Sequence, residues 1–484
     1  MAAVAAVPAR LERFFVSDSP TQQLAARLRS AGHRAYLVGG SVRDAMLDRD
    51  IVDVDIATDA RPDTIESVVR PWADAVWLQG QRFGTVGCEK GGERFEITTF
   101  RADVYRPESR KPEVTYSDDV ETDLSRRDFT INAMAIALDD LPGAGPRIID
   151  PFDGLSDLAA FRLRTPLAPE VSFEDDPLRM LRAARFTATL GFEPDVGLVR
   201  AIEQMHERLK IVSAERVRDE LSKMLGADDP SPGLWLSART GLSDEFLPEL
   251  NAMRLEQDPI HRHKDVLAHT IAVVAKTSPR LRIRLAALLH DVGKPRTRGY
   301  GPQGVTFHHH EVVGARMARE RMLELRYPNE LVNDVTRLVE LHLRFHTYRM
   351  GWTDSAVRRY VRDAGPLLDD LNELTRCDCT TRDTRKAEAL GRRMDELVAR
   401  IAELREREEL AKIRPALDGN QVMRFLGVPP GPVIGEALDF LLELRLEEGP
   451  MTEDEASARL AAWARGRGLD PSRAGRAERP GRTA

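Results

Sequence analysis

Strand-like patterning is confined to the first third of this 484-residue chain, and that change of period limits the folds open to it. Ala35–Val38 is a short apolar run that stops at Gly39-Gly40. Val52–Ile56 alternates apolar and acidic residues with the period of a strand, and Phe95–Phe100 is rich in β-branched and aromatic residues. Ile131–Leu138 is apolar and fits strand or helix equally, while Ile148-Ile149 leads into the turn Asp150-Pro-Phe-Asp-Gly154. One helical segment, residues 22–32, ends at Gly32. From about Pro177 onward the apolar spacing is helical almost throughout. Strands gathered at one end and helices at the other predict an α+β chain: a head with a mixed sheet, followed by all-α units.

At about 100–200 residues per domain, the length implies roughly three or four of them. Pro166–Pro169, Pro230–Pro232 and the turn cluster Gly299–Gly304 are expected breaks. The reading adopted is a head over 1–165, a helical neck over 166–250, a further helical domain over 251–385 and a helical tail over 386–465. Residues 388–412 read as a highly charged helix that presents a solvated face or serves as a strut. Residues 466–484 are rich in Arg, Gly and Pro and are expected to be disordered. Apolar residues make up 42% and charged residues 31%, and no run of about 18 uncharged apolar residues occurs, so no membrane span is expected. Three cysteines, Cys88, Cys377 and Cys379, make neither a disulfide framework nor a four-thiolate zinc site, which suits a reducing cytoplasm. The net charge of −7 carries no whole-chain signature of nucleic-acid binding, so any RNA contact must use a local basic face.

The first chemical pattern is Asp53-Val-Asp55. On a strand these carboxylates share a face and can hold a hard cation such as Mg²⁺, with Glu96 on another strand as a third ligand. Two such ions would serve in-line phosphoryl transfer. Alone, Asp-x-Asp also fits an ordinary solvated strand face. The upstream stretch Leu37-Val-Gly-Gly-Ser-Val-Arg-Asp44 places Gly39 and Gly40 between a strand and a helix, where backbone N–H groups can approach phosphate and Arg43 can add a charged contact.

These stretches together resemble the nucleotidyltransferase signature of bacterial CCA-adding enzymes and poly(A) polymerases, class II of the polymerase-β superfamily. Arg126-Arg-Asp-Phe-Thr-Ile-Asn-Ala133 is similar to that family's ribose-recognition motif, Asp175-Asp-Pro-Leu-Arg179 through Arg182 to its nucleobase-reading helix, and Ser213–Leu221 to the helical motif supporting it. The resemblance implies a polymerase-β-like head, Mg²⁺ at Asp53 and Asp55, and a fork of Arg127 and Asp128, assisted by Asn132, on the ribose hydroxyls. It implies base reading by Asp176 and Arg179 with Arg182. A carboxylate that only accepts beside a guanidinium that only donates matches the edges of C and A and leaves G and U unpaired. Spacing alone also fits a surface ion pair on one helix face. The family often has Gly where Asp48 stands, and Glu-Asp where this chain has Asp175-Asp176.

A second pattern spans 269–378. His269 lies in an apolar helix, His290-Asp291 ends the apolar run Leu285–Leu289, His310 opens another helix, and His342 and Asp378 follow. An apolar run rarely ends in two ionisable groups unless they have a partner, and such side chains on several helices can converge on divalent metal. The set is similar to the HD phosphohydrolase superfamily: His269, His290, Asp291 and Asp378 fill its pattern, and His310 and His342 match the extra histidines of two-metal variants. Arg414–Asn420 and the helix after it resemble the RNA-contacting C-terminal region of the first family. The resemblance implies addition of CCA to tRNA 3′ ends from CTP and ATP. Poly(A) or A-only addition uses the same motifs. A metal-dependent HD phosphohydrolase whose head only binds RNA is the alternative of another class.

Overall fold

The computed structural model describes residues 9–101, 115–138, 147–255, 265–301, 304–347, 352–379, 384–408 and 413–469. It divides into two compact units, Met1–Asn251 and Ala252–Ala484. No helix among the described residues is long and apolar enough to cross a membrane.

After the helix Pro20–Ser30, the head of the first unit contributes seven strands: β1 (Ala35–Val38), β2 (Asp53–Thr58), β3 (Ala75–Trp77), β4 (Thr85–Lys90), β5 (Glu93–Thr99), β6 (Ala135–Ala137) and β7 (Ile148–Ile149). They form one mixed sheet in the order β3-β4-β5-β2-β1-β6-β7. Only β2 and β5 run parallel; every other neighbouring pair is antiparallel. The period of two sorts the faces of β2: Val54 and Ile56 are buried in the main core with Leu37, Val86, Phe95 and Ile97, and Asp53 and Asp55 face the other way. The ambiguous segment 131–138 resolves into a short 3₁₀ turn, Thr130–Asn132, followed by β6.

Helix α1 (Gly39–Met46) leaves β1 directly. Gly39 has φ +64°, and a Cβ there would lie 2.8 Å from Nη1 of Arg127 and 3.3 Å from Oδ2 of Asp55, so both backbone hand and space demand glycine. Asp48, where the family often has Gly, also has positive φ (56°), a conformation that Asp tolerates better than most residues.

The neck packs helix α2 (Leu178–Leu190) against α3 (Ala214–Leu225) and against Ser231–Arg239, so Pro230–Pro232 opens a helix inside the first unit. The edge of one ring meets the other where Phe129 of the head approaches Phe186 of α2, centroids 5.5 Å apart. The helix expected through Asp176 is interrupted: Asp176 is extended (φ −143°, ψ 99°) between the helix Pro169–Asp175 and α2, because Pro177 disfavours helical backbone at the residue before it.

In the second unit, helices α4 (Val266–Lys276), α7 (Asn329–Leu341) and α8 (Leu368–Asp378) pack around α5 (Leu281–Leu289), which is buried from Ile283 to Leu289, and α6 (His310–Glu324) packs on α7. Gly299–Gly304 is not a boundary but belongs to an antiparallel hairpin, Arg298–Gly301 with Gly304–Phe307, between α5 and α6. The charged helix α9 (Thr384–Arg407) pairs its solvated face with a buried one. Met394, Leu397, Ile401 and Leu404 form a buried stripe on the period of a helix. The tail has its own small core around Val422, Leu441 and Leu460, and Asp418 with Gln421 caps its first helix in a reciprocal box. The segment expected to be disordered lies outside the described residues from 470 onward.

Candidate active site and metal centre

The parallel register of β2 and β5 sets Asp55 directly beside Glu96. Asp53, Asp55 and Glu96 line a cavity of about 490 Å³ together with Gly39, Gly40, Arg43, Arg127, Asp128, Asn132 and Arg182. The Ser41 hydroxyl fastens α1 to β2: it donates to the Asp53 carbonyl (3.1 Å) and accepts from the Asp55 amide (2.8 Å). Burial, reinforced by neighbouring Glu96, pushes the Asp55 carboxyl up to about 6 against the opposing charge of Arg127. A crowded set of carboxylates, one kept from ionising easily, is the donor set that a hard divalent cation would satisfy.

Around the cavity the side chains form one connected network. Arg43 donates to both Asp44 oxygens (2.9 and 2.7 Å) and to Asn132 Oδ1 (2.7 Å); Asn132 donates to Asp128 Oδ1 (2.9 Å). Arg182 donates twice to Asp128 Oδ2 (2.8 and 2.5 Å), crossing from neck to head, and holds that carboxyl far below the usual range. Glu220 of α3 accepts from Arg185 (2.5 Å) and Arg182 (3.4 Å). Arg127 is steadied by fully buried Asp123 (3.0 Å), which also accepts from Nε and Nη2 of Arg126 (3.0 and 2.6 Å). The face of Phe186 carries Arg185 at 4.0 Å and Arg43 at 5.2 Å from its centroid.

Asp176 and Arg179 stand apart from this lining. Asp176 bonds Arg216 (2.7 Å), and buried Arg179 donates to the Ser172 hydroxyl (2.8 Å) and to the Arg126 carbonyl. Conversely, sequence reasoning passed over Thr98, Arg185, Lys223 and Asp123, and gave Phe186 and Glu220 no individual role. Arg185 and Phe186 were findable, being three and four residues beyond Arg182 on one helix face. Thr98 was findable as the next same-face residue after Glu96.

In the second unit, five helices bring the six predicted ligands together. His269 Nε2 lies 2.9 Å from Asp378 Oδ1 and 3.3 Å from His290 Nε2, and Asp291 Oδ2 is 3.2 Å from His290 Nε2. The other oxygen of Asp291, Oδ1, faces His310 Nε2 at 3.4 Å, which in turn is 3.3 Å from His342 Nε2. Asp291 therefore bridges two half-sites. The Nδ1 atoms of His290, His310 and His342 each meet a backbone carbonyl three residues earlier (Ala287, Phe307 and Val339; 2.8, 2.8 and 2.6 Å), which orients every Nε2 toward the shared space. His290, Asp291 and His342 are buried, and with no ion the neighbouring carboxylates push His290 up to about 10 against its burial, while burial and His290 push His342 down to about 3. These opposed pulls are those of a donor set built around positive charge. Lys294 (2.6 Å from Asp291 Oδ2) was missed, although it lies one turn beyond Asp291.

Three family models match the chain: the poly A polymerase head domain over residues 35–164, "Probable RNA and SrmB-binding site of polymerase A" over 191–254, and the HD domain over 266–409, past the expected end at 385. The chain is 33% identical over 450 residues to the A-adding tRNA nucleotidyltransferase of Deinococcus radiodurans, covering 89% of this chain and 95% of that one. It is 43% identical over 220 residues to the CCA-adding enzyme of Lactobacillus gasseri, covering 45% of this chain and 53% of that one. Its fold is similar to the crystal structure of the Bacillus stearothermophilus CCA-adding enzyme in complex with CTP, with TM-score 0.66 and 25% identity over 95% of this chain and 99% of the other.

Proposed function

The chain belongs to the bacterial CCA-adding enzyme and poly(A) polymerase family, and from that premise we propose that it adds CCA to tRNA 3′ ends from CTP and ATP, without a nucleic-acid template, in the cytoplasm. The observation that carries the reading is the register pairing of Asp55 with Glu96, in one cavity with Asp53, the Gly39-Gly40 turn and the Arg127–Asp128–Asn132 group. Asp53 and Asp55, with Glu96, would hold Mg²⁺, which when bound offsets charge on the leaving pyrophosphate and favours ionisation of the RNA 3′ hydroxyl. The RNA 3′ oxygen forms its bond to the α-phosphorus as the bond from that phosphorus to the pyrophosphate breaks.

Gly39 and Gly40 let the backbone approach the phosphate chain, and Arg43 adds charge beside it. Arg127, Asp128 and Asn132 select the ribose hydroxyls. Asp176 and Arg179, with Arg182, read the base, which requires Asp176 to leave Arg216 and Arg179 to leave Ser172 when nucleotide enters. The chain is similar both to an A-adding relative, over 450 residues, and to a CCA-adding one, over 220 residues, so the extension products below are what separate the two additions.

The test is extension of a tRNA transcript lacking CCA, with Mg²⁺ and CTP, ATP or both, sequencing the products. Growth by CC from CTP alone, closed to CCA by ATP, is expected. Single A addition only to RNA already ending in CC would replace the reading with A-only addition, and long A tracts with a poly(A) polymerase. No extension would leave the HD centre as the activity. For that centre we propose a two-metal phosphohydrolase site, because Asp291 offers one oxygen to each half-site.

A further inference from the structure

Five cations line the head–neck cavity: Arg43, Arg127, Arg182, Arg185 and Lys223. Each guanidinium is held by a carboxylate: Arg43 by Asp44 (2.7 Å), Arg127 by Asp123 (3.0 Å), Arg182 by Asp128 (2.5 Å) and Arg185 by Glu220 (2.5 Å). Lys223 differs. It is exposed, and among the described residues its ammonium has no hydrogen bond or ion pair.

Its helix explains why it faces the cavity. Arg216, Glu220 and Lys223 fall at i, i+4 and i+7 on α3 and share one face. The first two bond residues at the start and middle of the base-reading segment: Arg216 to Asp176 (2.7 Å), and Glu220 to Arg182 and Arg185 (3.4 and 2.5 Å). The face is therefore anchored by two ion-paired members, and its third, Lys223, is exposed at the cavity without a carboxylate partner among the described residues. A compact ammonium on a flexible stem, without a carboxylate to offset its charge, suits phosphate oxygen. The four paired guanidinium groups present a field already reduced by their acids, and both substrates of nucleotidyl transfer are polyanions.

We infer that Lys223 is a phosphate-binding residue of the nucleotidyl-transfer site, contacting either the triphosphate of the incoming nucleotide or the terminal phosphodiester of the RNA. The inference rests on the nucleotidyltransferase reading. It is tested on the full chain with Lys223→Ala and Lys223→Arg, varying CTP at saturating tRNA lacking CCA and then the reverse. In Lys223→Ala, KM for one substrate rises about five- to tenfold with kcat within about twofold, and the salt dependence of that KM weakens. Lys223→Arg restores both, and the thermal midpoint stays at the wild-type value. A shift in KM for CTP assigns the contact to the triphosphate, and a shift in KM for RNA assigns it to the primer. Unchanged KM values for both substrates overturn the inference, as does a parallel loss of activity and thermal stability. Calorimetric titration with Mg-CTP and with the RNA reads the same contact without turnover, so a wild-type chain that fails to extend RNA sinks the functional reading and still leaves Lys223 testable.

Discussion

Asp55 is the residue where burial and chemistry conflict most. Its carboxyl is pushed up to about 6 by burial and by Glu96, above its value in an unfolded chain. A raised folded pKa stabilises the protonated form: its favourable contribution is complete below about pH 3.8 and is lost as pH rises through about 6. Above that, the ionised carboxylate weakens the metal-free fold. In EDTA at pH 7.5, Asp55→Asn is expected to unfold at higher urea than wild type, by up to about 2 kcal/mol after allowing for partial solvent access. The difference should vanish near pH 4, and a wild type equal to Asp55→Asn at pH 7.5 would refute the assignment. Gly39 makes the complementary prediction. Gly39→Ala places a methyl carbon against Arg127 Nη1 at a positive φ, so a loss of about 1–2 kcal/mol in urea unfolding and of at least about 100-fold in kcat is expected. Wild-type extension by Gly39→Ala would show that the turn is not where phosphate approaches.

At the scale of elements, the nucleotide cavity depends on α2 and α3 as a pair. Glu220 is 4% exposed and accepts from two α2 arginines, so its removal leaves two partly buried cations short of a partner. Glu220→Gln keeps the size and removes the charge. It should cost about 2–4 kcal/mol of stability, measured by denaturant unfolding, and should relax the preference for CTP over UTP by loosening Arg185, which Glu220 holds at 2.5 Å beside Arg182. A stable variant with unaltered base preference would show that α3 supports the neck without orienting the cavity. In α9 too, a helix rich in charge buries Met394, Leu397, Ile401 and Leu404, because a stripe of four apolar residues is enough to seat one face.

For the whole molecule, each site is built from residues of a single compact unit: the nucleotide cavity from the first, the histidine centre from the second. Their chemistries should therefore separate by mutation. Asp53→Ala is expected to lower extension by at least about 1000-fold while leaving the divalent metal bound at the histidine centre, measured by elemental analysis of the purified protein. His290→Ala should lose metal from that centre and keep extension within about twofold. Loss of extension in a folded His290→Ala would mean the two units do not act separately.

Much of this was legible in sequence because it is local. The strand–Gly-Gly–helix–Asp-x-Asp order follows from period and turn chemistry within 20 residues, and β1 runs from Ala35 to Val38 as the apolar run indicates. His290-Asp291 stood out because an apolar run that closes in two ionisable groups needs a reason to do so, and the resemblance to the HD superfamily supplied the other four predicted ligands. Other features depend on which distant segments meet. The parallel register that sets Glu96 beside Asp55, the bond from Arg182 of the neck to Asp128 of the head, and the open face of Lys223 join residues 41 and 54 positions apart or expose one helix face among several. Local pattern ranks which face of a strand or helix is apolar, but strand pairing and helix packing are long-range choices, so only the tertiary structure decided which acid meets which base and which cation was left without one.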